Sequence, residues 1–386
     1  MKFTGLLRAL GLMFMLPSCN EQATTGPVAP PMPTAPSAAP PPEDPAKSVL
    51  KSANEPPPDA GKSFWPDKVS ADTKVMGTHV QFVAFTTPKV GPAEARAAFE
   101  AAAAEIKRVE DLMTTWRDSE VSRINAQAGK SAVKVSDETF AVIKESVHAS
   151  EISGGTFDIT FQSLHGLWKF DEDLERKVPA DKDIKARLPF VNYKNIVLDE
   201  AAKTVKLTKA ETQISLGGIA KGYGVDMAVK VLEKAGLESF FVQAGGDLYA
   251  RGKKPDGSEW QAGVRDPRGK AGEYFAMLPL SDHAFSTAGD YERTFILDGV
   301  RYHHIIDPRT GYPATACRSV TIYAPTAFLA DEIDDAVFIL GPQKGLQLVE
   351  SIEGVGAVIV DAKNNLYISK RLQGKVAITK VLSDGI

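Results

Sequence analysis

"YFAMLPLSDHAFSTAGDYERTFILDGVRYHHIIDP", residues 274–308, decides the fold class. It reads as successive strands with turn signals between them and no helical stretch to separate them. Working outward, "SFFVQAGGDLYARG" and "EWQAGVRDP" precede it with the same character, and "SVTIYAP", "VGAVIVD" and "NLYIS" follow. Upstream, "THVQFVAFT" (78–86) alternates polar and apolar residues, and "NIVLDEAAKTVKLTK" has the pattern of a hairpin. Helical spacing predicts a long Ala-rich helix over 92–116 and another over 136–155, capped by Ser136 or Asp137 and closed by glycines. "DMAVKVLEKAG" is a helix ended by Gly236, and residues 168–195 are a charged surface excursion. Strands and helices mix without strict alternation. The class is α+β, with largely antiparallel sheets and packed helices in one large domain.

The chain has 386 residues and a net charge of −4, which argues against a nucleic-acid surface as its main business. Residues 1–18 read as an export signal: Lys2 and Arg8 precede a short apolar run from Leu10 to Leu16, too short to span a bilayer. "LPSC", ending at Cys19, resembles a bacterial lipobox, so the mature chain is expected to begin at a lipidated Cys19, on the periplasmic side of a membrane. An ordinary cleaved signal is the alternative. Asn20 resembles an outer-membrane sorting residue. Residues 19–62, rich in Pro and Ala, are expected to be an extended tether, and 63–386 the folded domain. Only Cys317 remains after Cys19, so no internal disulfide framework is available.

"LADEIDDAVFIL" (329–340) concentrates carboxylates on an element that otherwise reads as buried. On a helix Asp331, Asp334 and Asp335 share a face, and Phe338 continues it. Two readings stand: acids placed favourably at a helix start, or a cation site at the edge of a core. Clustered carboxylates without His or Cys favour magnesium over zinc. "SLGGIAKGYGVD" (215–226) sets four glycines and Lys221 between a strand and a helix, as a phosphate cradle or as a structural turn. "QAGGDLYARG" places Asp247 after paired glycines. "HHIIDPRTGYP" (303–313) offers His304 as a general base. Trp116, in "TTWRDSEVSRIN", is either core or a platform for a planar ligand.

Together with "VMGT" (75–78) and "GGTFDIT" (154–160), these segments resemble the ApbE family of FAD:protein FMN transferases, in the family's order and over nearly the whole folded chain. The resemblance implies an ApbE-like, T-fold-related domain. It also implies magnesium-dependent cleavage of FAD, transfer of FMN to a Thr of an acceptor flavoprotein, and release of AMP. Acceptors of such enzymes carry an Asp-x-(Ser/Thr)-(Gly/Ala)-Ala-Thr motif, as in subunits of sodium-pumping NADH:quinone reductase or Rnf-type complexes. Residue by residue, it implies flavin-dinucleotide contacts at Met76, Trp116, Thr156, Phe157, Asp158, Ser215, Lys221 and Ile305. Gly218, through its carbonyl, Asp331 and Asp334 match metal ligands. Two positions depart: Ser215 stands where many relatives have Asp, and Asp335 where the family usually has Thr. A FAD pyrophosphatase and a non-enzymatic flavin-binding lipoprotein are the competing readings; the intact acidic pair argues against the second.

Overall fold

The computed structural model describes residues 64–170 and 176–385. The readings of the export signal, of Cys19 and of the tether lie outside the described residues. In chain order the strands and helices are β1 (Lys68–Val75), β2 (Thr78–Phe85), α1 (Pro92–Met113), α2 (Glu120–Ala126), β3 (Val133–Lys134), α3 (Asp137–Ile152) and α4 (Asp181–Arg187). Next come β4 (Ile196–Asp199), β5 (Thr204–Leu207), α5 (Ala220–Lys234), β6 (Phe240–Ala244), β7 (Asp247–Arg251), β8 (Trp260–Arg265), β9 (Tyr274–Leu280) and β10 (His283–Gly289). The chain closes with β11 (Thr294–Leu297), β12 (Val300–His303), β13 (Cys317–Ala324), α6 (Ala327–Ser351), β14 (Gly356–Asp361), β15 (Leu366–Ile368) and β16 (Ala377–Ile378).

One eight-stranded sheet, ordered β1-β2-β6-β7-β10-β13-β14-β15, forms the frame, and every neighbouring pair in it is antiparallel. Its two faces bury different cores. Val80, Phe82, Ala84, Val320, Ile322, Ala357 and Ile359 face the helices α1, α5 and α6. Val83, Phe285, Tyr323, Val358 and Val360 alternate with them and pack on Trp260, Phe275 and Leu278, from the small sheet β16-β9-β8. With both faces covered, a central strand needs no polar side, which is why "GAVIVD" is buried at every position.

Three departures from the sequence reading have physical causes. Strand β1 was not anticipated; its edge position leaves alternate side chains in water, so it carries little apolar signal. The Ala-rich helix ends at Met113 rather than 116, with Thr114 already extended. The acidic segment read over 329–340 runs on to Ser351 as one element, interrupted at Gly341, whose φ of 76° and neighbour Pro342 break the helical hydrogen bonding.

Candidate active site

Helices α5 and α6 build the centre of the site. Asp226 of α5 accepts from the amides of Ala327 and Phe328 at 2.9 and 3.0 Å, and Thr326 accepts from Leu329. These side chains satisfy the amides that begin α6 and fix where it starts. The glycines of "SLGGIAKGYGVD" then divide into two roles. Gly222 and Gly224 lie inside α5, not in a loop before it. A β-carbon on Gly222 would stand 2.3 Å from the Ala327 carbonyl oxygen, so what approaches here is helix α6, not a ligand. Gly217 and Gly218 precede the helix and are open: the nearest atom to a β-carbon on Gly218 would be Oδ2 of Asp335, at 3.7 Å.

That packing delivers four carboxylates to one ammonium. Nζ of Lys221 lies 2.8 Å from Asp247 and 3.0 Å from Asp331, whose second oxygen accepts from the Gly222 amide at 2.9 Å. Ser286, on β10, donates toward Asp247 at 2.6 Å or Asp334 at 2.7 Å and ties the two together. One oxygen from each of Asp247, Asp331 and Asp334 falls within 4.8 Å of the others, and all three residues are buried. Asp335 is half-buried, with its carboxylate over Gly218.

The electrostatics follow from this crowding. Burial and the charge of Asp247 push Asp331 up to about 7. Burial and the neighbouring carboxylates raise Asp334 far above the usual range. Burial raises Asp335 to about 6, with Lys221 opposing. Burial works against the Lys221 ammonium, but Asp247 and Asp331 outweigh it and raise its pKa well above the ordinary lysine value. One cation among four carboxylates leaves a surplus of buried negative charge. An oxygen-only donor set with that surplus fits a hard divalent cation such as magnesium.

Sequence reading found Asp331, Asp334, Asp335, Gly218 and Lys221, which the fold brings together with Phe157, whose ring lies 3.8 Å from where a Gly218 β-carbon would be. It noted Asp247 only for its place after paired glycines and did not single out Ser286. The signal for Asp247 was its place after paired glycines, at the tight turn between β6 and β7. A serine in mid-strand gives no signal of its own.

The remaining predicted residues lie around this centre in several different settings. Met76 occupies the two-residue turn between β1 and β2 with φ of 53°, followed by Gly77 at 68°, and its thioether packs where Gly224 lacks a side chain. Thr156 is buried and donates to the Ser153 carbonyl. Asp158 is also buried; its oxygens accept from Thr160 and from the Tyr193 amide, so both are occupied in shaping their loop. Ser215 accepts from the Gly217 amide at 3.2 Å. Trp116 is 79% exposed, its edge against His165. A side chain this apolar left in water is available as a stacking surface.

The two adjacent histidines differ sharply. His303 is buried, with Nε2 2.7 Å from the Ala314 carbonyl and Nδ1 accepting from the Ile305 amide, so both ring nitrogens are engaged. Ile305 is buried beside it, and its carbonyl accepts from Ala314. His304 presents an exposed surface. Desolvation by the protein around its ring, together with His303, Arg293 and Lys221, lowers its pKa to about 4. It is therefore neutral near pH 7 and able to accept a proton.

The chain matches the ApbE family over residues 76–359. A FAD:protein FMN transferase of Treponema pallidum is 34% identical over 301 residues, spanning 74% of this chain and 83% of the relative. Among solved structures, the ApbE protein of Thermotoga maritima is 34% identical with a TM-score of 0.73, and the flavin transferase ApbE of Vibrio cholerae 27% identical with 0.71. Each covers 80% of this chain and 99% of its own.

Proposed function

The chain belongs to the ApbE family, an enzyme family of flavin transferases, and from that premise we propose that it moves FMN from FAD to a Thr hydroxyl of an acceptor flavoprotein and releases AMP. The observation that carries this reading is the cluster of Asp247, Asp331, Asp334 and Asp335 around Lys221, beside the open glycines 217 and 218. Mere retention of a flavin needs no such concentration of buried charge.

Asp331, Asp334, Asp335 and the Gly218 carbonyl would hold magnesium, with Asp247 joining them or steering Lys221. When bound, the ion supplies neutralisation of the pyrophosphate charge. Lys221 adds a fixed positive charge for the same phosphates. Trp116, Met76, Phe157 and Ser215 hold the dinucleotide, while the buried Thr156, Asp158 and Ile305 act on it by fixing the loops around it. His304 takes the proton of the acceptor hydroxyl. The threonine oxygen then forms a bond to the FMN phosphorus, the bond to the AMP oxygen breaks, and AMP leaves with the electron pair.

The test is incubation of the protein with FAD, magnesium and a domain carrying the Asp-x-(Ser/Thr)-(Gly/Ala)-Ala-Thr motif, read by mass spectrometry. The expected product is the acceptor increased by one FMN through a phosphoester. Free FMN and AMP with unmodified acceptor would make the protein a FAD pyrophosphatase. Bound but uncleaved FAD would make it a flavin carrier.

The same proposal places the enzyme on the periplasmic side of a bacterial membrane, lipidated at Cys19 and held off by the residue 19–62 tether, with outer-membrane sorting favoured by Asn20. Fractionation of Cys19→Ala checks this. Release into the soluble periplasm is expected, and unchanged membrane association would remove the anchor while leaving the chemistry intact.

A further inference from the structure

Asp226 does more than close the start of α6. Its two oxygens are used separately: Oδ1 accepts from the Ala327 amide at 2.9 Å and Oδ2 from the Phe328 amide at 3.0 Å. Burial pushes its pKa up to about 6, so near pH 7 it is largely ionised and both oxygens accept. Thr326, the exposed cap of the helix itself, already takes the Leu329 amide. A helix capped in this way needs no carboxylate from another helix merely to begin, since water can satisfy its first amides. What Asp226 adds is a connection between α5 and α6.

The connection is reciprocal. One helical turn away on both helices, the Gly222 amide of α5 donates to Asp331 of α6 at 2.9 Å. At one contact a side chain of α5 takes backbone donors of α6; at the other a side chain of α6 takes a backbone donor of α5. Residues 222 and 226 are four apart, as are 327 and 331, which is about 6 Å of rise on each helix. Helices joined at one point can pivot about it. Two joints a turn apart, where a Gly222 β-carbon would meet the Ala327 oxygen, fix their register as well. Register matters because the two helices divide the site: α5 holds Lys221, and α6 holds Asp331, Asp334 and Asp335. A small hard cation demands closely defined oxygen positions, and a helix shifted at Ala327 carries its acids with it.

We propose that Asp226 is a positioning residue for the cation site, setting the register of α6 on α5 and through it the places of Asp331, Asp334 and Asp335. This rests on the magnesium reading of that cluster.

Titration calorimetry of magnesium into the full chain without FAD tests the inference, with urea midpoints measured alongside. Asp226→Asn keeps the shape but offers one carbonyl oxygen to two amides. Asp226→Glu keeps the charge and lengthens the arm by one methylene. Each is expected to weaken magnesium binding about tenfold or more, the usual scale for groups that orient metal ligands. Thr326→Ala removes the cap at the same helix end and leaves the α5 contacts intact. It is expected to lower the urea midpoint and to bind magnesium as the wild type does. Wild-type affinity in both Asp226 variants, or an equal loss in Thr326→Ala, would reduce Asp226 to a stabilising cap. If the Asn form does not fold, the Glu form decides alone. No magnesium binding by the folded wild type would remove the magnesium reading and this inference with it, whereas binding that the Asp226 variants leave unchanged overturns the inference only.

Discussion

The amide of Gly222 donates to Oδ2 of Asp331 at 2.9 Å, at the point where α5 and α6 come closest. The hydrogen bond and the glycine are one device: only a residue without a β-carbon lets the backbone reach the carboxylate. A methyl group there would lie 2.3 Å from the Ala327 oxygen and 2.7 Å from the Asp331 β-carbon. Gly222→Ala is therefore expected to cost about 1–3 kcal/mol of stability through overpacking and to displace Asp331. Gly217→Ala, with only the Ser215 hydroxyl at 3.4 Å, is expected to fold like the wild type. Urea denaturation of both variants separates them; equal midpoints would show that α6 yields freely.

Asp247 holds Lys221 together with Asp331 and takes one of the two Ser286 contacts. Replacing it with Asn keeps the shape and removes one charge. Asp247→Asn is expected to lower magnesium affinity or turnover by about 10–100-fold, the usual cost of disturbing groups that orient a metal site. Magnesium titration of FAD cleavage measures both. A variant with unchanged half-saturation and rate would leave Asp247 with a purely structural part.

His304 gives a pH signature. Its pKa is lowered from the ordinary 6.5 to about 4, so between these values the unfolded chain binds more protons at this residue than the folded one. Stability from this group is present above pH 6.5 and lost as pH falls toward 4. His304→Gln removes that contribution, and the fall in urea midpoint between pH 8 and pH 5 is expected to be smaller in the variant. As the proposed base, His304 should also cost roughly 10²-fold in transfer rate when replaced, with FAD affinity little changed. Wild-type transfer by the variant would move the base elsewhere, to Asp307 or Asp247.

The sequence made the frame legible where one physical period dominates. Central strands such as β13 and β14 are covered on both faces and read as apolar runs, and the cap of α3 was visible because Ser136 does accept from the Thr139 amide. Strand β1 was hidden because its inward set has little apolar contrast: between buried Val69 and Val75 stand only half-buried Ala71 and Thr73, one small and one polar, so the alternation barely registers. In the site, the acids of α6 were visible because helical spacing alone puts them on one face. Asp247 and Ser286 were not, because their part depends on β7 and β10 pairing and presenting both side chains to α6, a tertiary fact. The glycines misled in one respect. Absence of a β-carbon signals close approach, and at Gly222 the partner is another helix of the same chain.

Asp335 sets this chain apart from the pattern its family resemblance implies, which has a hydroxyl there. Its carboxylate lies over Gly218, the residue whose carbonyl is expected to reach the metal, and Asp334 adjoins it in sequence. Burial raises its pKa to about 6, so near pH 7 it is largely ionised and adds to the surplus of negative charge. A further anionic oxygen at a hard-cation site strengthens cation binding. Without the ion it repels the pyrophosphate. FAD binding is therefore expected to depend steeply on magnesium in the wild type. Asp335→Thr should remain active, need more magnesium for half-saturation, and bind FAD more readily in a chelator. Quenching of the tryptophan fluorescence by FAD, with and without chelator, reads the binding arm independently of turnover. Matching magnesium curves and matching chelator-resistant binding in the two forms would place Asp335 outside the metal shell.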